Sequence, residues 1–439
     1  MTVGAGRLRQ DPGWLLVAAL SLGPIVFWLT AIPLSVRFED SAATLHSLAN
    51  IAALVGTAGF AVNLILGARL GVLERLFGGL DRLYGAHRFV GYGSLILILA
   101  HALLLALSKA VESGAGSAVE LFLPGAGWAI FTGVIALFGM STAMVLTFLV
   151  RLKHETFVRV QRSFGLMFLI ASFHVFRVEG TKAYSHALTV YMGGLTVLAI
   201  SAFLYRSVLG RYVVRARDYR LTEVNRLDGS VAEIVLAPRA KPIPFESGQF
   251  VFVRLFHGSV GREPHPFSIA SSPNDPNLRI VVKALGDYTT DLVKHLQPPA
   301  SARVEGPYGR FSYRRAANLD QIWIAGGIGV TPFLSMARSF GVNGHRVDFY
   351  YCTEGAEQAY FLDEFFEISD RHLNFRVIPI RKVSLGHLTV EDIRGVSSEL
   401  PTKEFFICGP PVMIKSLKTQ LLGLGVPTGR IHYEDFGFM

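Results

Sequence analysis

The sequence is poor in charged residues and in cysteine. Asp, Glu, Lys and Arg make up 17% of its 439 residues, and the only two cysteines are Cys352 and Cys408. Two cysteines argue against a disulfide framework and against a cysteine-ligated zinc or iron–sulfur site. We therefore interpret both as buried, reduced thiols.

Acidic residues are fewer than basic ones, and the formal net charge is +9 at pH 7. Such a charge can indicate a nucleic-acid-binding protein. Here, however, the basic residues cluster at the ends of long apolar runs, which is typical of membrane proteins. We therefore expect membrane lipid, and no nucleic acid, among the partners.

Six apolar segments precede Arg206, and most have the roughly 20 residues needed to cross the hydrocarbon core of a bilayer. They are Trp14–Leu34, Leu45–Leu66, Phe89–Leu107, Gly127–Val150, Ser163–Phe176 and Ala187–Tyr205. The fifth is short, and we expect it to extend back through Phe157. A chain of this length has room for two or three domains, of which the spans form the first.

An even number of spans places both ends of the chain on one side of the membrane. The links on that side hold Arg69, Arg75, Arg82, Arg88, Arg151, Lys153, Arg159, Arg162, Arg206, Arg211, Arg215 and Arg217. The opposite links hold only Arg37, Lys109, Arg177 and Lys182. The positive-inside rule therefore predicts a multi-pass cell-membrane protein whose termini and C-terminal half are cytoplasmic.

Two histidines lie deep in predicted spans, where an ionisable residue is a functional candidate by default. His101 is in the third span and His174 in the fifth. His87 precedes His101 by about 21 Å of helix and Gln161 precedes His174 by about 20 Å, so His101 and His174 should lie at matching depth near the outer side. Two neutral imidazoles facing each other across a bundle suit a six-coordinate b-type haem. The alternative is a pair of histidines that hydrogen-bond between helices.

A second haem would need a partner for His87 at the inner level. The residue at that level is Gln161, a poor iron ligand. The inner haem is then absent, five-coordinate, or ligated by another residue such as His154, which lies about 10 Å nearer the cytoplasm. We interpret His46 and His186 as interfacial histidines, with a propionate or substrate contact as the alternative.

The pattern changes after the spans. From Tyr219 six short alternating segments, LTEV, VAEIVLAP, GQFVFVRL, HPFSIAS, LRIVVKAL and ARVEGPYG, predict a small antiparallel β-barrel. From Gln321 strands alternate with helices, as in IWIAGGIGVTPFLSMARSF, which predicts an α/β parallel-sheet, nucleotide-binding domain. We place the six-span α-helical membrane bundle at residues 1–217, the barrel at 218–317 and the α/β domain at 318–439.

Five motifs, HPFSIASSP, KALGDYT, GPYGRF, GGIGVTPF and CGPP, occur in the order found in ferredoxin–NADP reductase-like flavoproteins. With the six spans in front, nearly all of the chain after the first span resembles the ferric reductase and NADPH oxidase superfamily, including its bacterial members. That family carries two histidine pairs on its third and fifth spans. This chain matches three of those four positions, with His87, His101 and His174, and has Gln161 at the fourth.

The resemblance implies FAD binding by two segments of the barrel. The first comprises His265, Pro266, Phe267 and Ser268; the second comprises Lys283, Gly286, Tyr288 and Thr289. In the first, Ser268 would hydrogen-bond near flavin N5, which accepts hydride, and Phe267 would pack on the ring or the ribityl chain. In the second, a helix starting near Asp287 would present N–H groups to the pyrophosphate. The alternative for the first segment is an ordinary barrel strand with Pro266 at an edge. The alternative for Lys283 is a solvated residue at the end of a strand.

The resemblance also implies NAD(P)H binding by two turns of the α/β domain. They comprise Gly326, Gly327, Gly329, Thr331 and Pro332 in one turn, and Cys408, Gly409 and Pro410 in the other. Glycines let the backbone approach a pyrophosphate, and the following helix N-terminus stabilises its charge. Cys408 would position the nicotinamide by its small, polarisable side chain; a reactive thiol is the alternative.

Two further features of the α/β domain concern the flavin cover and the 2′-phosphate of NADPH. The resemblance implies that Phe436 covers the flavin until nicotinamide displaces it, with Phe438 as the competing aromatic; an aromatic packed on the domain surface is the alternative. No basic residue directly follows the strand VDFYYCTEG, so Arg381 or Lys382 would bind a 2′-phosphate. By analogy with the family NADPH is preferred over NADH, and we write NAD(P)H.

These expectations describe an NAD(P)H-dependent oxidoreductase of the NADPH oxidase or ferric reductase type. Electrons would pass from cytoplasmic NAD(P)H through FAD and haem b to dioxygen, giving superoxide, or to a ferric chelate. Two alternatives remain. The chain is an electron donor for a periplasmic or cell-surface redox protein, or it is a flavin reductase with a degenerate haem domain.

Overall fold

A computed structural model describes residues 12–150, 152, 154–178, 185–258, 260–261, 263–341, 344–381 and 386–434. Contacts divide the chain into two units, Met1–Val214 and Arg215–Met439. We call them the helical unit and the C-terminal unit, and each is described by itself.

The helical unit consists of long helices joined by short ones. The helices are α1 (Pro12–Ala31), α2 (Leu34–Arg37), α3 (Ser41–Leu66), α4 (Gly71–Phe77), α5 (Leu80–Ser113), α6 (Ala115–Glu120), α7 (Trp128–Leu149), α8 (His154–Arg177), α9 (His186–Phe203) and α10 (Gly210–Val213). A π-helical turn, Leu204–Val208, prolongs α9.

Five of these helices are long and apolar enough to cross a membrane: Pro12–Ala31, Ser41–Leu66, Leu80–Ser113, Trp128–Leu149 and His186–Val208. They correspond to five of the six predicted spans. The remaining predicted span lies in α8, which has 24 residues and is therefore long enough, but carries Arg159 and Arg162 in its first half. Its extension beyond Phe157 is confirmed, since it begins at His154.

Small residues let α3 and α5 approach closely. A Cβ on Gly59 would lie 2.6 Å from Ser94 Oγ, and one on Gly56 would lie 3.1 Å from Leu97 Cβ. Helices in a bilayer gain little from hydrophobic burial, so close backbone packing across small residues supplies much of their association. From the other side, Phe60 of α3 stacks on Phe168 of α8 with ring centroids 5.8 Å apart. Helix α3 is thus the centre of the bundle.

The C-terminal unit begins with a six-stranded antiparallel sheet in the order β4-β3-β6-β1-β2-β5. The elements are β1 (Ala216–Arg226), β2 (Val231–Pro238), β3 (Phe250–Phe256), β4 (His265–Ser268), β5 (Leu278–Lys283), α11 (Asp287–His295) and β6 (Ala300–Tyr308). A β-bridge between Ile269 and Ile280 connects the two edge strands, so the sheet forms a nearly closed barrel. This is the predicted barrel, and α11 begins at the predicted Asp287.

A five-stranded parallel sheet follows, in the order β11-β10-β7-β8-β9. Its elements are β7 (Asp320–Gly326), α12 (Thr331–Arg338), β8 (Arg346–Thr353), α13 (Leu362–Arg371), β9 (Phe375–Arg381), α14 (Val390–Val396), β10 (Glu404–Cys408), α15 (Pro411–Gly423) and β11 (Ile431–Glu434). Apolar cores lie on both faces. The predicted fold class is confirmed, with β11 as a strand that the sequence pattern did not predict.

The strand order positions a crevice in this sheet. The chain runs from β7 outward to β8 and β9, then returns to the other side of β7 as β10. At such a reversal the loops after adjacent strands diverge, and ligands bind at the carboxyl ends of the strands. The turns after β7 and β10 therefore lie side by side.

Candidate cofactor-binding sites

The helical unit contains a cavity that the two predicted haem ligands share. His101 of α5 and His174 of α8 both line it. The remaining lining is mostly apolar and comes from α1, α3, α5, α7, α8 and α9 and from the segment before α7. The structure thus brings together two imidazoles that are 73 positions apart in the sequence.

Backbone carbonyls orient both imidazoles. His101 Nδ1 donates to the carbonyl oxygen of Ala49 on α3 at 3.0 Å, and His174 Nδ1 donates to that of Ala129 on α7 at 2.7 Å. A carbonyl can only accept, so each ring carries its proton on Nδ1 and has a lone pair on Nε2. This is the usual arrangement of a metal-ligating histidine.

The surroundings of His174 also suit this role. A Cβ on Gly133 would lie 2.6 Å from His174 Nδ1, so glycine at this position makes room for the imidazole. Trp28 lines the same cavity and is fully buried, and its indole N–H has no hydrogen-bond acceptor among the described residues. An unmatched buried donor beside a cavity is typical of a site that takes a ligand with polar atoms.

Among the described residues, no three His, Cys, Asp or Glu side chains come together as a metal site. A metal ion held by the protein alone is therefore not indicated there. Two axial histidines and an apolar cavity fit a haem, whose porphyrin supplies the other four iron ligands. The described residues thus fit the predicted b-type haem at the level of His101 and His174.

The inner level differs. His87 Nδ1 donates to the carbonyl of Asn63 on α3 at 3.0 Å, in the same manner as His101. Gln161, however, donates from Nε2 to Thr147 Oγ1 on α7 at 3.1 Å. Gln161 is thus engaged with its neighbouring helix. The side chain of His154 lies outside the described part of the chain.

His46 and His186 are both exposed, at the start of α3 and of α9. Neither is among the residues that line the cavity. Their positions agree with the interfacial interpretation, and the alternative propionate contact gains no support from the lining.

In the barrel, the predicted FAD segment forms β4. His265 stacks on Tyr288 of α11 with ring centroids 3.6 Å apart and planes 8° apart. The two predicted segments therefore meet. Tyr288 Oη is buried and has no hydrogen-bond partner in the described part of the chain, and burial raises the pKa of this hydroxyl. An unmatched hydroxyl at this junction fits a bound ligand with acceptor oxygens, as the FAD pyrophosphate has.

The remaining FAD candidates have different environments. Phe267 packs in the barrel core, and Ser268 is buried opposite Phe250 of β3, while Pro266 is half-buried. Thr289 Oγ1 accepts the amides of Leu285 and Gly286 at 2.9 and 3.1 Å. Thr289 thus stabilises the turn that leads into α11.

Lys283 ends β5, opposite Val231 of β2. Its side chain is half-buried. The amides of Leu285 and Gly286 donate to Thr289 Oγ1 and are therefore not available to an anion. The amides of the first turn of α11 are the remaining candidates to bind one.

Glycines allow the two predicted nicotinamide turns to touch. A Cβ on Gly329 would lie 2.4 Å from the carbonyl oxygen of Cys408, and one on Gly409 would lie 3.0 Å from Gly326 Cα. A Cβ on Gly326 would lie 2.9 Å from Pro410 Cδ. The close approach of these turns therefore requires glycine at all three positions.

Gly327 differs from its neighbours. It has φ +54°, and a Cβ there would meet nothing within 4 Å, so the turn is open on this side. Thr331 and Pro332 are buried and start α12, whose N-terminus follows the turn directly. Free amides and the positive end of the helix dipole make this a suitable place for a pyrophosphate.

The cysteines of this domain are not exposed thiols. Cys408 is buried at the end of β10, next to Ala325 of β7. Cys352 of β8 lies opposite Gly326, and burial raises the pKa of its thiol to about 12. A thiolate is the reactive form, so this pKa keeps Cys352 as the thiol at neutral pH.

Two sequence predictions concern residues that the structure does not describe. Phe436 and Phe438 both lie outside the described residues, as does Lys382. The last described residue, Glu434, lies beside the barrel, since a Cβ on Gly309 would be 3.1 Å from its Oε1. Arg381 ends β9 in register with Thr353 of β8, at the carboxyl edge of the sheet.

Three family models match separate parts of the chain. Residues 52–172 match the family model "Ferric reductase like transmembrane component", residues 217–312 match "FAD-binding domain", and residues 323–419 match "Oxidoreductase NAD-binding domain". The chain is a ferric reductase/NADPH oxidase-like fusion. Its FAD-binding and NAD-binding domains form an NAD(P)H-dependent oxidoreductase module of the ferredoxin reductase type, so the predicted family and module are confirmed.

Individual relatives of this ferric reductase-like fusion match only part of it. A flavohemoprotein of Chromobacterium violaceum is 26% identical over 50% of this chain and 60% of its own length. The reductase component of a propane 2-monooxygenase of Mycolicibacterium goodii is 27% identical over 49% of this chain and 67% of its own. The chain thus spans about three fifths of the Chromobacterium protein.

Among solved structures, the FAD/NAD-binding domain of a nitric oxide dioxygenase of Vibrio cholerae is similar, with a TM-score of 0.45 and 22% identity. The match covers 51% of this chain and 99% of that one. A flavohemoglobin of Malassezia yamatoensis has a TM-score of 0.49 and 16% identity, covering 91% and 99%.

Proposed function

We propose that the protein transfers electrons from cytoplasmic NAD(P)H across the cell membrane, using FAD and one b-type haem, to dioxygen or a ferric chelate on the far side. The observation that carries this proposal is the cavity shared by His101 and His174, whose Nδ1 atoms are both bonded to backbone carbonyls. If both imidazoles ligated one haem iron, no position on it would be left open, so this site would suit electron transfer better than ligand binding at the metal.

In the C-terminal unit, the residues bind and orient the nicotinamide nucleotide and FAD. The turn after β7 and the N-terminus of α12 hold the dinucleotide pyrophosphate, with Gly327 open to it. The turn after β10, which contains Cys408, lies beside it and positions the nicotinamide. Ser268 would donate a hydrogen bond near the atom of the flavin that accepts hydride, and Tyr288 would donate to the FAD pyrophosphate. When bound, FAD accepts hydride and haem passes single electrons, which is chemistry the cofactors supply.

In the helical unit, two histidines would ligate the haem iron, and backbone carbonyls fix the orientation of their imidazoles. The carbonyls of Ala49 and Ala129 keep the Nδ1 protons in place, so that both Nε2 lone pairs remain available. The proposal has one haem and no second one because the inner level has Gln161, whose amide is bonded to Thr147, in place of a histidine opposite His87. His87 would then be an interhelical hydrogen-bond donor.

The same Gln161–Thr147 bond favours a second candidate function. If haem binding has been lost altogether, the chain is a membrane-attached flavin reductase. A third interpretation, an electron donor to a periplasmic or cell-surface redox protein, has the same cofactors and differs only in the acceptor.

The test is the ratio of haem to FAD in protein purified in detergent. We expect a ratio near one, and a Soret band that shifts when NAD(P)H is added without oxygen. His101→Ala and His174→Ala should each lose the haem and keep FAD, whereas the exposed His186→Ala and the inner His87→Ala should keep both. A ratio near two would refute the single-haem proposal, and absence of a Soret band would leave the flavin reductase.

The acceptor is tested separately. Oxygen consumption with and without superoxide dismutase, compared with reduction of a ferric chelate, distinguishes the two small acceptors. Haem that is reoxidised only after a purified periplasmic fraction is added would support the donor interpretation instead.

A further inference from the structure

The last residue of α12, Arg338, connects the nucleotide-binding domain to the barrel. Its side chain is 13% exposed. Nε and Nη2 donate to the two carboxylate oxygens of Glu364 at 2.7 and 2.9 Å, and Nη1 donates to the carbonyl of Ala270 at 3.0 Å. Oε1 of Glu233 lies 3.5 Å from the guanidinium. A buried guanidinium with a two-bond carboxylate partner has little freedom to move.

The partners come from both domains. Glu364 belongs to α13 of the parallel-sheet domain, whereas Glu233 lies on β2 of the barrel and Ala270 lies two residues beyond Ser268. One turn earlier on α12, Ser335 Oγ donates to the carbonyl of Ser271 at 2.7 Å. Helix α12 is thus bonded twice to the segment that continues the predicted flavin strand.

The other end of α12 begins at the glycine turn that we assign to the nucleotide. Eight residues of helix, about 12 Å, therefore separate the pyrophosphate site from the contact with the flavin strand. We propose that Arg338 is a positioning residue that sets the separation of nicotinamide and flavin. This inference rests on the proposed nucleotide and flavin sites.

The consequence for the reaction is geometric. Hydride transfer needs reacting atoms roughly 3–3.5 Å apart, and a displacement of about 1 Å can cost on the order of a hundredfold in rate. Loss of Arg338 should therefore slow the chemical step while leaving nucleotide affinity largely unchanged. A lower limiting rate with unchanged binding is the signature of an interaction that acts on the transition state.

The charges left behind are compensated. Glu233 keeps Arg279 of the barrel, at 3.4 Å. Glu364 is 32% exposed and can be hydrated. We therefore expect Arg338→Gln to fold and to retain FAD.

The experiment is anaerobic stopped-flow reduction of the bound FAD in the full-length protein by NADPH and by NADH. It yields a limiting rate and a nucleotide Kd for each variant. We expect Arg338→Gln to lower the limiting rate about tenfold or more with little change in Kd. Arg338→Lys should recover part of the rate, because lysine keeps the charge but not the planar fork. The control is Arg346→Gln, an exposed arginine at the start of β8 paired with Asp320, which should behave as the wild type.

An unchanged limiting rate in Arg338→Gln would overturn the positioning role. If Arg338→Gln loses FAD, Ser335→Ala is the second test, because it removes the other bond to the segment after the flavin strand. A wild-type limiting rate in Ser335→Ala would also overturn the positioning role. A reduced limiting rate with FAD retained would support that role. A wild-type protein whose FAD is reduced by neither nucleotide would instead contradict the proposed function.

Discussion

At the scale of single residues, backbone carbonyls of α3 orient two histidines of α5 in the same way. Ala49 and Asn63, which accept from His101 and His87, are 14 positions apart on α3, as the two histidines are on α5. Antiparallel packing of α3 and α5 therefore presents both imidazoles in the same way. What differs is the opposite side, where α8 supplies His174 at one level and Gln161 at the other.

Gly133 provides a test at this scale. In Gly133→Ala the new methyl group would lie 2.6 Å from His174 Nδ1, and the imidazole must move. We expect a lower haem content, or a shifted Soret maximum and midpoint potential, at unchanged FAD content. The matched control is Gly194→Ala in α9, where a Cβ meets nothing within 4 Å. A haem spectrum identical to the wild type in Gly133→Ala would show that His174 is not an iron ligand in this orientation.

At the scale of elements, the proposed nucleotide site depends on turns that follow adjacent strands. The turns after β7 and β10 meet only because the strand order reverses at β7. Glycines bring the backbones of the two turns together, and Gly327 leaves the turn after β7 open on its other side.

Gly329→Ala tests this contact. Its methyl group would lie 2.4 Å from the Cys408 carbonyl, so the two turns must separate. We expect the Kd for NAD(P)H to rise by about tenfold or the limiting rate of flavin reduction to fall as much, because misplacement of about 1 Å costs on that order or more. Gly341→Ala, where a Cβ meets nothing within 4 Å, is the control. Equal kinetics in both variants would contradict a role for this packing.

A second contact at this scale predicts a pH dependence. Tyr360 donates a hydrogen bond to Asp228 in the β1–β2 turn, and this bond, with the amides of Ser230 and Val231, lowers the pKa of Asp228 to about 2 from 3.8. A lowered pKa in the folded state contributes stability above pH 3.8, and this contribution is lost as the pH falls toward 2.

Thermal release of FAD fluorescence, measured for the wild type and for Tyr360→Phe between about pH 5 and pH 3, tests this linkage. The variant should unfold at a lower temperature than the wild type near pH 5, and this difference in unfolding temperature should become smaller as the pH falls. A gap that is constant with pH would mean that the hydroxyl does not act through the charge of Asp228.

At the scale of the whole molecule, the chain combines a unit of long apolar helices with a unit that contains the FAD-binding and NAD-binding domains. The positive-inside pattern predicts that the C-terminal unit is cytoplasmic and that α6 is outside. Cysteine labelling can test this, since Cys408 is buried and Cys352 has a pKa of about 12.

We expect Glu120→Cys to react with a membrane-impermeant maleimide in intact cells. Leu373→Cys, at a fully exposed position of the C-terminal unit, should react only after permeabilisation. The parent protein should remain unlabelled in both conditions. The reverse pattern would place the reductase module outside the membrane.

The sequence predicted elements well where one physical pattern dominated. Period-two alternation located the barrel strands, and continuous apolar runs located five spans. Helix α8 was harder to delimit because Arg159 and Arg162 interrupt its apolar pattern, although the helix itself continues through them. Strand β11 was missed because its four residues pair with β10 only in the assembled sheet. The roles of individual site residues stay predictions, and Phe436 lies outside the described residues.

The sequence by itself determined the fold class, the family and the types of residue at the sites, because hydrophobic periodicity and glycine-rich turns are local properties of the chain. Only the tertiary structure decided that His101 and His174 line one cavity, that Gln161 is bonded to Thr147, and that Arg338 joins the nucleotide-binding domain to the flavin strand. Each of these arrangements involves residues on different helices or strands, and it depends on how those elements pack, which no local pattern encodes.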